Sequence, residues 1–378
     1  MKAIKITVLS LTNISSLRKF LRKPALWTLL TAVLAFSVAT SAQESQMTVT
    51  QLGSSACTAG YYFPSIDAAV KKVAFNSFCD LVPGENTDGN SELFVMNVNG
   101  SGLKQLTSSV GGLGVINPQI SWSGLKIVFA SDRDLISGGN TDGNYEIFTI
   151  NVDGTGLTQL TDTTGGRFVY GFQGNTAPCF DPRAQKIVFS SDRDLIPGGN
   201  SDGNNDLFAM NTDGSGLVQL TSTTGGWGIG DGCLNVNDTQ VILDSDRDLV
   251  PGGNADGNYE VFTMKANGTG FVQLTNTTSP ASGIGNVNPI WTSDAKTVFF
   301  RSDIDWTGGN PDLNQEVFRM KIDGSNKVQM TSSAGGFGST ATGINLNGKV
   351  LAVESDGDLV PGNNVNHNGR IYIIKFVP

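Results

Sequence analysis

The chain has 378 residues, including 47 glycines and one histidine, and only 16% of it is charged. A lone histidine speaks against His-ligated zinc, Ser-His or Cys-His nucleophile pairs and c-type haem. An isoelectric point near 4.7 argues against nucleic acid, whose phosphates need basic patches.

The first 42 residues differ in kind from the rest. Lys2, Lys5, Arg18, Lys19, Arg22 and Lys23 precede an apolar stretch from Ala25 to Ala39, and no acid occurs before Glu44. Ala39-Thr40-Ser41-Ala42 then supplies the small residues of a cleavage site, so residues 1–42 read as a secretory signal peptide. The rival, a membrane anchor, needs roughly 20 apolar residues, and this stretch is shorter and contains Thr28, Thr31 and Ser37. Cleavage would take six of the 25 basic residues and none of the 34 acidic ones, leaving a net charge of −15 over 336 residues. The expectation is an exported chain, periplasmic or secreted, without a membrane span after cleavage.

Residues 43–378 repeat. The string SDRDL begins at Ser131, Ser191 and Ser245, and relaxed versions begin at Ser77, Ser302 and Ser355. Spacings of 54, 60, 54, 57 and 53 residues make six copies. In the second copy, alternating apolar residues predict strand A over 115–122, strand B over 126–130, strand C over 146–151 and strand D over 157–160. Asp153-Gly154 supplies the C–D hairpin turn.

A four-stranded unit of this size cannot bury both faces alone, whereas six packed radially can. The predicted fold is therefore all-β, a six-bladed β-propeller of four-stranded antiparallel blades. In the sixth copy, A is expected over 342–347, B over 349–354 and C over 370–376, after which the chain stops. Thr48–Leu52 matches the missing D strand, so the N-terminal strand is expected to close the ring.

The run SDRDL…DGNYEIFTINVDGTGLTQLT resembles the repeat of the periplasmic TolB propellers, six times over residues 48–378. Each B–C loop here carries an insertion such as LIPGGNT. The α/β domain that precedes the TolB propeller has no room in this chain, so the resemblance implies the propeller alone.

Strand directions place the D–A and B–C loops on one face. The aromatic residues of the D–A loops, Phe168, Tyr170, Phe172, Trp227 and Phe337, are candidates for a ligand face there; the bland alternative is that they cover the loop bases. Asp80, Asp134, Asp194, Asp248, Asp305 and Asp358 recur in all six copies, which suits turn aspartates that accept backbone N–H bonds rather than a single active site. Asp132, Asp134, Asn140, Asp142, Asn144 and Glu146 offer enough oxygen for Ca²⁺, although the loop glycine is not placed as in an EF-hand. The competing reading is a loop held by Asx turns. His367, in place of the loop glycine, reads as an exposed loop residue.

Among the cysteines, Cys57 and Cys79 are expected to form a disulfide, because an A–B hairpin makes their positions neighbours. Cys179 and Cys233 fall on inner strands of adjacent blades, where the inter-blade distance is expected to be too great for a bond; each reads equally as a small buried hydrophobe.

No catalytic motif is found. The expected function is a non-catalytic, monomeric propeller, without cofactor apart from the calcium candidate, that binds a protein or glycan of the envelope or exterior through its long-loop face. The alternative is a carboxylate-dependent polysaccharide hydrolase or lyase at the same face. It would require acidic residues outside the repeat, of which Asp231 is the one conspicuous candidate.

Overall fold

The computed structural model describes residues 47–53, 57–164, 174–278, 284–333, 336, 338–344, 348–360, 362, 364 and 366–376. The predicted signal segment, Phe168, Tyr170, Phe172 and Phe337 lie outside them. The described residues carry 24 strands and no helix.

Six four-stranded antiparallel sheets follow one another along the chain. The second blade shows the plan: β6 (Val115–Ile120), β7 (Lys126–Ser131), β8 (Glu146–Asn151) and the two-residue β9 (Thr158–Gln159). Strands A and D are shorter than the sequence pattern predicts. The innermost strands are β2 (Tyr61–Ile66), β6, β10 (Asn175–Phe180), β14 (Ile229–Leu234), β18 (Asn286–Trp291) and β22 (Ser339–Ile344). Each touches the next, and β22 touches β2, so they form a closed ring around one axis.

Blades are glued by apolar residues from facing sheets. Ala74, Leu93 and Val95 of the first blade pack with Ile127, Phe129 and Phe148 of the second, all buried. Alternation within each strand supplies both faces of a blade, which is why strands B and C read as nearly continuous apolar runs.

Closure is made by β1 (Met47–Leu52), which pairs antiparallel with β24 (Arg370–Phe376) from Met47↔Phe376 to Leu52↔Ile371. The sixth sheet is thus β22, β23 (Val350–Ser355), β24 and β1. Its inner strand lies three residues earlier than the pattern predicts. Ser339 pairs with Ser355, as Val115 pairs with Ser131, so the B-strand serine sets the register.

Every inner strand shifts register midway. In four of them the shift falls at an X-Pro pair whose first residue has positive φ: Phe63, Asn117, Ala177 and Asn288. Proline cannot donate to the ladder, and the bulge lets the strand turn its middle toward the axis.

Candidate functional site

The B–C and D–A loops share one face and are hydrogen-bonded to each other: Asn144 Nδ2 donates to the Thr163 carbonyl, and Asn258 Nδ2 to that of Thr277 at 2.8 Å. On that face the repeated aspartates have separate tasks. Asp134 accepts backbone N–H bonds from Gly138, Gly139 and Asn140 at 2.8–3.2 Å, and these donors hold its carboxyl below the usual range. Asp80, Asp194 and Asp248 are bonded in the same way.

The first aspartate of each SD pair pins the D–A loop. Asp132 accepts from Leu113 and Gly114, Asp246 from Trp227 and Gly228, and Asp303 from Ile284 and Gly285, all at 2.6–3.2 Å. The glycine of each pair has φ near 100°; at Gly114 a Cβ would collide with the Ser91 carbonyl. The residue before it is thereby held at the channel mouth with its side chain outward. Leu113, Trp227 and Ile284 are 52%, 42% and 43% exposed there. Trp227, predicted as a ligand-face residue, belongs to this ring; Leu113 and Ile284 are aliphatic, so the aromatic pattern of the D–A loops does not include them.

Glu146 is fully buried and accepts from Thr163 N and Oγ1 and from Asn175 Nδ2; burial pushes its carboxyl up while these bonds pull it down. The six calcium candidates are thus split among different hydrogen-bonded sets: Asp132 on the D–A loop, Asp134 in its turn, Asp142 on Asn144 Nδ2, and Glu146 on the Thr and Asn donors. Among the described residues, no group of three or more His, Cys, Asp or Glu is placed to hold a metal ion. The backbone N–H bonds to Asp134 are those of an Asx-type turn. His367 is exposed with φ 51°, its Nδ1 3.2 Å from the Asp356 carbonyl.

The structure joins Cys57 to Cys79, with Cα atoms 5.7 Å apart. It also joins Cys179 to Cys233 across the boundary between the third and fourth blades, from β10 to β14, at 5.5 Å. The inter-blade distance, expected to be too great for a bond, is within a disulfide's reach, because inner strands of neighbouring blades converge at the axis.

The channel itself is where the repeat is broken. A cavity of about 80 Å³ is lined by residues of all six inner strands, among them Phe63, Asn117, Gln119, Pro178, Asp231 and Asn288. Asp231 Oδ2 accepts a hydrogen bond from Asn288 Nδ2, and its backbone N–H donates to Asp244 Oδ1 at 2.9 Å. Asp244 belongs to β15 (Gln240–Ser245), at the position held by Asn76, Ala130, Ser190, Arg301 and Glu354 in the other B strands. That position is neutral in blades one to three and charged in blades four to six. Arg301 Nη1 donates to Thr340 Oγ1 at 3.0 Å, and Glu354 Oε2 accepts from the Phe63 N–H at 2.8 Å.

Burial raises the Asp231 carboxyl; Asp244 is raised further, by burial and then by the charge of Asp231. Glu354 is pushed up to about 7, chiefly by burial. Asp231 therefore has an acidic neighbour, which its place in the sequence did not reveal. Aligning the residue before each B-strand serine would have exposed the three charges.

A wider open depression of about 840 Å³, bounded by Thr163, Arg193, Asp194 and Asn200, lies between the second and third blades, away from this channel.

No protein-family model matches the chain, and no curated protein matches it in sequence. Solved structures do. TolB from Acinetobacter baumannii superposes with a TM-score of 0.54 at 14% identity, covering 81% of this chain and 65% of its own. This chain thus spans just under two thirds of that protein's length. A TolB-type protein from Agrobacterium tumefaciens gives 0.51 at 13% identity, covering 84% and 90%. Oligogalacturonate lyase from Vibrio parahaemolyticus gives 0.51 at 12%, covering 88% and 94%. The chain is a six-bladed β-propeller of the TolB-like architecture. At these identities the likeness concerns the fold.

Proposed function

We propose that this chain is an exported, non-catalytic binding propeller, periplasmic or secreted, whose loop-face mouth docks a protein or glycan partner. The observation that carries the reading is the ring of Leu113, Trp227 and Ile284: large exposed apolar side chains held at equivalent positions by aspartate–backbone bonds. Apolar groups fixed on a rigid rim lose little entropy on binding, which is how loops on a scaffold recognise partners. The surrounding loop carboxylates are occupied by backbone and hydroxyl donors, so they support the scaffold rather than acid–base chemistry.

A glycan array and crosslinking to envelope proteins, run with the intact chain and with a Leu113→Ser, Trp227→Ser, Ile284→Ser variant, test this. Binding that the triple variant loses supports docking at the mouth. Release of reducing or unsaturated ends from polysaccharide, abolished by Asp231→Asn, would instead establish the hydrolase or lyase reading.

A further inference from the structure

The arginine of the SDRDL string is buried in each blade that carries it, as Arg133, Arg193 and Arg247, but one of the three is accommodated differently. Arg133 Nη2 donates to the Gly112 carbonyl at 2.9 Å, and Arg247 Nη1 donates to Thr223 Oγ1. Arg193 is 4% exposed, and its Nε lies 3.2 Å from Asp192 Oδ1. Among the described residues, neither its Nη1 nor its Nη2 has a hydrogen-bond acceptor. Buried N–H donors left without acceptors are costly, so this guanidinium is short of a partner that its two counterparts have.

Arg193 forms part of the wall of the open depression of about 840 Å³ between the second and third blades, a volume within the range of small-ligand sites. The charges on that wall narrow the choice of occupant. Arg193 shares it with Asp162, Asp192, Asp194 and Asp202, so a free anion is repelled. A cation would leave the Arg193 donors unmet. A neutral molecule rich in hydroxyl groups meets both needs, since each hydroxyl accepts as well as donates. A peptide fits less well, because it spaces one carbonyl and one N–H along each residue. We propose that this depression binds a neutral oligosaccharide, whose ring hydroxyls accept from Arg193 Nη1 and Nη2 and donate to the exposed Asp162 carboxylate. Leu160, Leu195 and Leu217 offer apolar surface for the C–H face of the sugar. The site is separate from the ring at the mouth and does not depend on docking there.

Calorimetric titration of the intact chain with maltotriose, cellotriose, mannotriose and chitotriose tests the assignment, with trigalacturonate and trialanine as acidic and peptide controls. Saturable binding of at least one neutral trisaccharide is expected, tighter than either control. Arg193→Lys keeps the charge but removes the paired Nη donors, and Asp162→Asn removes an exposed carboxylate. Each should weaken binding by about tenfold or more, the loss of a charge-assisted hydrogen bond. The Leu113→Ser, Trp227→Ser, Ile284→Ser variant should bind the same sugar unchanged, which separates this site from the mouth. In the unaltered protein, the Arg193 guanidinium resonances should shift along the same titration, a readout that needs no variant to fold. No saturable binding of any of the four sugars, tighter binding of trigalacturonate or trialanine, unmoved Arg193 resonances, undiminished affinity in both folded single variants, or a loss confined to the mouth variant would overturn the proposal.

Discussion

Two sets of carboxylates in this propeller have opposite surroundings. Asp80, Asp134, Asp194 and Asp248 sit on the open loop face, where backbone N–H groups converge on each and lower its pKa. Asp231, Asp244 and Glu354 sit inside the ring, where burial raises theirs. The first set recurs with the repeat and is saturated with donors. The second occurs only in blades four to six and is short of them. Acids that hold the loops were thus multiplied with the blade, and the channel acids are the exceptions to the repeat.

The comparison presupposes a closed ring, so its largest test is to open it. Deleting residues 43–53 removes β1 and leaves the β24 edge, from Ile371 to Phe376, unpaired. We expect aggregation or a melting temperature lower by more than about 10 °C. An unchanged thermal melt would mean that β1 is dispensable and the ring is closed by other contacts.

Removing a repeated acid inside a blade should come next. Glu146→Ala strands the Thr163 N–H and hydroxyl and the Asn175 amide in a buried site. A loss of about 2–4 kcal/mol in urea unfolding is expected. A cost below about 0.5 kcal/mol would make this clasp ornamental.

The channel set should respond with the opposite sign. Glu354 titrates at about 7 in the folded chain and near 4.3 when unfolded, so between those values the folded state keeps a proton that the unfolded state gives up. Its contribution to stability is complete below the lower value and falls as pH rises toward the upper one. Glu354→Gln mimics the protonated form and should be more stable than the parent at pH 8, on the order of 1–3 kcal/mol. The difference should vanish by pH 4. Denaturant titrations at both pH values decide it; a variant less stable than the parent at pH 8 would show that the Arg301 attraction outweighs burial.

A smaller gain is expected from His367→Gly. The matching loop residue is glycine in blades one to four, with φ of 68–73°, and His367 holds φ 51°. Relief of the left-handed conformation should stabilise by about 1 kcal/mol in the same assay. No gain would place the Nδ1 contact to Asp356 on an equal footing with the strain.

The smallest effect concerns calcium. Because Asp134 and its counterparts are already bonded to backbone donors, melting curves in millimolar calcium and in EDTA should coincide. A higher melting temperature with calcium would return the N-x-D-G-N-x-E loop to the metal reading.

Much of the architecture was local information. Apolar alternation, Gly-containing turns and the recurring SDRDL string are set by residues a few positions apart, so six blades, their four strands and the role of Thr48–Leu52 could be read before any coordinates. What meets across the axis could not. Asp231 and Asp244 lie on adjacent strands of one blade, but Asn288 and Arg301 come from the next and Glu354 from the last. The register that aims them inward depends on mid-strand bulges at positions such as Asn288-Pro289. Cys179 and Cys233 read as too far apart on adjacent blades, yet converge because the inner strands form the smallest circle of the ring. Local patterning decides which face of a strand is buried. Only ring closure decides which six faces share a channel, and with it which charges meet there.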